Sequence, residues 1–176
     1  TTAYDLGLPL PSIKPTATPT DFTPVSTSTV ARDASGNVTL ALSEAHNLKD
    51  GALARVSGFT HLSGTYGRSG TTITVTINDH GISVGDSVFL RFTSGGATTN
   101  QYTVTAAATN TFECTDSVSG TIGSSNTVEL DMSSFNITTE ATIIDPATIS
   151  YFSPGFSLAE RAITDGKVDL GGQIQA

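Results

Sequence analysis

His46, His61, His80, Cys114 and a scatter of acidic residues are the side chains of this sequence best suited to nucleophilic, acid–base or metal chemistry. Three histidines would suffice for a zinc centre. Yet His46 and His80 fall 34 residues apart at the same place in a repeated pattern, and a shared turn-holding role explains both. Asp79 beside His80, among many serines, has the residue types of a hydrolase. No Gly-x-Ser-x-Gly elbow or other ordered nucleophile accompanies them, and a Ser- and Thr-rich β sequence produces such neighbours by chance. Asp79 and Asp86 offer oxygens for Ca²⁺ but sit in turn sequence, where solvated carboxylates are the rule. Cys114 lies in the strand-like run TFECT and reads as a packed thiol. Ser94-Gly95-Gly96-Ala97 lacks the lysine and the strand-to-helix context of a phosphate loop. The sequence therefore assigns no catalytic residue, no metal ligand and no cofactor, and the expectation is a protein that is not an enzyme.

The elements that carry these residues are written most sharply between Ile73 and Phe92. Ile73, Val75 and Ile77 alternate with threonines, which predicts a strand with one buried face. Asn78 to Gly81 break the pattern; Ile82 and Val84 lead into Gly85-Asp86, and Val88 and Leu90 resume it. An earlier stretch repeats the plan. Val38, Leu40 and Leu42 alternate, His46-Asn47-Leu48 matches His80-Gly81-Ile82, Gly51 matches Gly85, and Ala54 and Val56 match Val88 and Leu90. The repeats span about 38–66 and 73–115, each ending in an aromatic-bearing piece, Phe59 to Tyr66 in the first, and they predict two similar hairpin units packed into one β core. His46, Gly51, His80, Gly81, Gly85 and Asp86 are the expected structural turn residues.

On either side the character changes. Residues 1–30 hold five of the seven prolines, so this piece should be extended, yet Tyr4, Leu6, Leu8 and Leu10 give it more apolar side chains than a solvated linker needs. An arm lying along another subunit explains both features. Residues 133–176 read as a second arm, in which Ser157 followed by Glu160 predicts one short helix near 157–163. Tyr151, Phe152, Phe156, Leu158 and Ile163 are its expected assembly contacts. The plan is an N-terminal arm over 1–30, a β domain over 31–132 and a C-terminal arm over 133–176. The fold class is all-β, a small antiparallel sandwich or barrel.

Composition narrows the partners. A net charge of −8 repels nucleic acid and anionic lipid. No run approaches the roughly 18 apolar residues of a membrane span, and no signal-peptide plan opens the sequence, so a soluble product is expected. One cysteine excludes an intrachain disulfide and leaves stability to packing or assembly.

The run from the alternating strand through HGISVGDSVFL, the Gly-rich turn, QYTVT and TNTFECT resembles the β repeats of tailed-bacteriophage virion proteins, above all tail, fibre and baseplate components. Residues 73–115 carry the resemblance strongly; residues 38–66 carry it weakly, since Asn47 replaces the Gly after His and Ala52 the Asp after Gly. It implies a structural virion protein, assembled in the host cytoplasm and resident in the particle. Its arms would bridge other virion proteins or further copies of itself, with a tail, baseplate or fibre-attachment place favoured over capsid decoration (a cement protein on the head). Two competing functions are a host-receptor or carbohydrate-binding module, for which Tyr66, Tyr102 and Phe92 are the candidate platforms, and a depolymerase.

Overall fold

The computed structural model describes residues 24–170 apart from Asn47, Lys49 and Thr164. Tyr4, Leu6, Leu8 and Leu10 lie outside the described residues. Fifteen strands follow in chain order: β1 Val25–Arg32, β2 Asn37–Leu42, β3 Leu53–Ser57, β4 His61–Ser69, β5 Thr72–Thr76, β6 Ser87–Phe92, β7 Asn100–Thr103, β8 Ala106–Ala107, β9 Thr111–Thr115, β10 Ile122–Asp131, β11 Ile137–Glu140, β12 Thr142–Asp145, β13 Thr148–Phe152, β14 Leu158–Ala162 and β15 Lys167–Leu170. A single 3-10 turn, Ser133–Phe135, is the helical element among the described residues. The fold is all-β, in the sandwich or barrel class that alternation and composition predict.

The strands form two antiparallel sheets, ordered β11-β3-β15-β1-β2-β13-β12 and β7-β6-β10-β4-β5-β9-β8, with β14 added beside β1. Numbered by their own appearance in the chain, and leaving β14 aside, both sheets have the order 4-3-7-1-2-6-5. One unit therefore occurs twice. The outer copy comprises 24–57 and 137–170, and the inner copy, 61–131, is inserted between its third and fourth strands. The registers agree: Val38 lies opposite Tyr151 and Leu40 opposite Ile149 in the outer copy, as Ile73 lies opposite Cys114 and Val75 opposite Phe112 in the inner.

Loop hydrogen bonds repeat as well. The His46 N–H donates to the Pro146 carbonyl at 2.9 Å and the His80 N–H to the Thr109 carbonyl at 3.3 Å. Gly51 N–H reaches the Ala141 carbonyl at 3.0 Å, and Gly85 N–H the Val104 carbonyl at 2.9 Å. Both glycines have positive φ, +78° and +93°, which a side chain resists. The spacing of 34 residues visible in the sequence is the best-kept part of this larger duplication.

The inward faces are continuous. Val30, Val38, Leu40, Val56, Ile149, Tyr151 and Val168 from the outer copy join one apolar cluster with Tyr66, Ile73, Val75, Leu90, Phe112, Cys114 and Leu130 from the inner. Burial of each large side chain stabilises the fold by about 1.5–3 kcal/mol before entropy is counted.

Several expectations are corrected. The repeat units are not hairpins, because β10 and β4 stand between β5 and β6, and β15 and β1 between β2 and β3. Alternation specifies which face of a strand is buried, not which neighbour it pairs with. The piece Phe59 to Tyr66, read as the tail of the first repeat, leads into β4 of the inner copy. Residues 133–170 are not an arm but supply β11 to β15. The helix expected near 157–163 is instead β14, which pairs with β1 through Thr29 opposite Ala162 and Val30 opposite Arg161. Seven residues are too few to repay helix nucleation, whereas a strand beside β1 gains ladder bonds at once. At the N-terminal end, Val25 to Val30 belong to β1 rather than to an extended arm.

Candidate functional site

The buried polar side chains hold the fold. His80 is fully buried, and its Nδ1 accepts the Ile82 N–H at 2.9 Å; His46 Nδ1 accepts the Leu48 N–H at 3.0 Å. The proton of each ring therefore sits on Nε2. In His46 it is donated to the Asp145 carbonyl at 2.9 Å, and the His80 ring meets Phe112 edge-on at 5.3 Å. Gly81 has φ +69°, and a Cβ there would lie 2.3 Å from the Ala159 backbone nitrogen, so only glycine lets the outer copy approach. Asp86 spans the copies too, its Oδ2 accepting N–H groups from Ser83 and Ser157, both at 2.9 Å.

The duplication also places two buried arginines at one position. Arg68 pairs with Asp116. Burial pushes the Asp116 carboxyl up, but hydrogen bonds from the Val118 N–H, Arg68 and Thr98 outweigh it and hold the group below its ordinary range. In the outer copy Ser153 occupies the place of Asp116, and among the described residues no carboxylate is bonded to Arg32. Its Nε donates to the Phe156 carbonyl at 2.7 Å and Nη1 to the Ser134 hydroxyl at 3.0 Å. The guanidinium lies 3.9 Å from the Phe135 ring centre and 4.6 Å from that of Phe156. Burial lowers its pKa to about 10.

The predicted chemical residues are thus dispersed. Among the described residues no three of His, Cys, Asp and Glu cluster as metal ligands. Cys114 is buried, and desolvation raises its thiol to about 12. Asp79 and Asp86 serve separate turns. Tyr151, Phe156 and Leu158 are buried against their own chain, Ile163 is half-buried against the core, and Phe152 is 59% exposed. Tyr66, Phe92 and Tyr102 form an internal cluster of tilted and edge-on rings, with centres 4.4 and 6.1 Å apart, and are no surface platform.

A groove on the outward face of the inner sheet opens to solvent. Alternation points Ser87, Phe89 and Arg91 of β6 outward beside Glu129 and Asp131 of β10. Gln101 lies opposite Phe89, Glu129 opposite Arg91, and His61 opposite Asp131. Arg91 Nε donates to Glu129 Oε2 at 2.7 Å, His61 Nε2 stands 3.7 Å from Glu129 Oε1, and Gln101 donates to the Ser87 hydroxyl at 2.8 Å. Asp131 accepts the Ser133 N–H at 2.9 Å and its hydroxyl at 2.7 Å. Ser134 of the 3-10 turn and Pro154–Phe156 of the outer copy form the far wall. Two adjoining depressions of about 300 and 530 Å³ share Phe89 and Asp131 as lining. Motif and repeat patterns do not single out this group, although the sequence holds one signal for it: Phe89 is an aromatic residue in the solvent register of its strand.

No protein-family model matches the chain, and no curated protein matches it. Among solved structures it is similar to "Phage phi92 endosialidase", with 15% sequence identity and a TM-score of 0.33. The match covers 83% of this chain and 28% of that one, so the chain spans little more than a quarter of that protein's length.

Proposed function

We propose that this chain is a structural component of a tailed-bacteriophage virion, a rigid double β module anchored through the segments that flank it. The observation that carries this reading is the pairing of β1 with β15. Val25 lies opposite Val168, so the two ends of the described fold are neighbours, and segments that flank it can engage one supporting surface. The apolar residues Tyr4, Leu6, Leu8 and Leu10 then bind neighbouring virion proteins or further copies of the chain, as added strands or in apolar grooves. Exposed Phe152 is a second contact. The resemblance of residues 73–115 to virion β repeats supports the same class. A place in the tail, baseplate or fibre attachment suits a module tethered at one end better than capsid decoration does.

The test is incorporation. Particles of the phage that encodes the chain are purified with the full-length protein or with residues 2–23 deleted, which leaves β1 intact. Stoichiometric copies in the first case and loss in the second are expected. Absence of the full-length chain from purified particles, or unchanged incorporation of the deletion, would refute the proposal.

A further inference from the structure

The two copies present equivalent outward faces, and those faces have diverged. Register places Arg55 of the outer copy where the inner copy has Phe89, and Asp169 where it has Asp131. In the outer copy Arg55 and Asp169 form an exposed ion pair at 3.9 Å, as solvated sheet faces commonly do. In the inner copy a 43% exposed phenyl ring occupies the equivalent point, at the junction of two depressions. A lone exposed apolar residue needs no explanation. A ring set in a concavity and surrounded by a carboxamide and two carboxylates does.

We propose that the groove around Phe89 binds a neutral sugar. A pyranose has one apolar face of C–H groups and a rim of hydroxyls, so its recognition needs an aromatic surface bordered by planar polar groups. Phe89 supplies the surface. Gln101 supplies a donor and an acceptor, and the unused lone pairs of Glu129 and Asp131 accept from hydroxyl groups. Acidic sugars are disfavoured, because Arg91 is already committed to Glu129 and the chain carries a net charge of −8. The combined volume of the depressions admits more than one ring, so short oligosaccharides should bind more tightly than monosaccharides. This site is independent of how the module is anchored, and neither claim falls with the other.

The test titrates the full chain with maltohexaose, cellohexaose and mannohexaose, with oligogalacturonate as the acidic counterpart, following Phe ring resonances by NMR and affinity by calorimetry. Saturable binding of a neutral oligosaccharide is expected, with the Phe89 resonances shifting. Phe89→Ala should weaken it roughly tenfold. Gln101→Ala should weaken it without change in melting temperature, while Arg55→Ala on the equivalent face leaves it unchanged. Because Phe89 is exposed, Phe89→Ala should keep the wild-type melting temperature; if it does not, the Gln101→Ala comparison and the Phe89 shifts decide. No saturable binding of any neutral probe, preference for the acidic one, or equal effects of Phe89→Ala and Arg55→Ala overturns the proposal.

Discussion

Asp116→Ala should destabilise the protein by about 3–5 kcal/mol, because removing one partner of a buried pair strands the other charge. Asp116 is 2% exposed and Arg68 9%. The substitution leaves the Arg68 guanidinium without its carboxylate and also frees the Val118 and Thr98 N–H groups, which Asp116 accepts at 3.2 and 3.4 Å. The duplication supplies an internal comparison. Arg32→Met removes an equally placed guanidinium that has no bonded carboxylate and keeps similar volume. It loses the bonds to Phe156 and Ser134 but strands no charge, so a cost of about 1–2 kcal/mol follows. Urea unfolding monitored by circular dichroism and by tyrosine fluorescence measures both. A cost for Arg32→Met equal to or above that of Asp116→Ala would refute the reasoning. The pH dependence adds a sign. The folded carboxyl of Asp116 titrates below its ordinary value of 3.8, so its contribution is complete above that pH and lost as pH falls through the lower folded value. The stability gap between wild type and Asp116→Asn should therefore close on acidification below about pH 4.

Gly81→Ala should cost at least about 2 kcal/mol, since a Cβ there meets the Ala159 backbone as well as a positive φ, whereas Gly85→Ala, with open space around it, should cost about 1 kcal/mol. Thermal melts separate them. His80→Ala strands the Ile82 N–H and opens a void beside Phe112, and a loss of about 2–4 kcal/mol in urea unfolding is expected. Cys114, buried and with its thiol raised to about 12, should not react with a disulfide reagent at pH 8 until urea unfolds the chain, which thiol titration checks.

What the sequence disclosed depended on how local the determinant was. The strand around Ile73 and Val75, the buried register of Val88 and Leu90 and the equivalence of His46 with His80 were legible, since each rests on neighbouring residues. Nothing local records that β2 pairs with β13 across a hundred residues, so the C-terminal strands looked like an arm. Adjacent Ile143 and Ile144 broke the alternation there, and Ser157 and Glu160 match a capping box, which favours a helix that pairing with β1 outcompetes. The groove is hidden for a related reason. Its residues are contributed by β4, β6, β7 and β10 and by the segments at Ser134 and Pro154–Phe156, and only the outward placement of Phe89 is visible in one stretch.

The nesting of one copy in the other constrains the order of assembly. Before the inner copy folds, joining β3 to β11 means closing a flexible loop of on the order of 80 residues. Once His61 lies opposite Asp131, the ends of that loop are already neighbours, and the entropic cost falls by about 2 kcal/mol. The inner copy needs no strand from the outer one to complete its sheet. It is therefore the part of the chain set to fold first, and the outer copy closes around it as the slower, higher contact-order step.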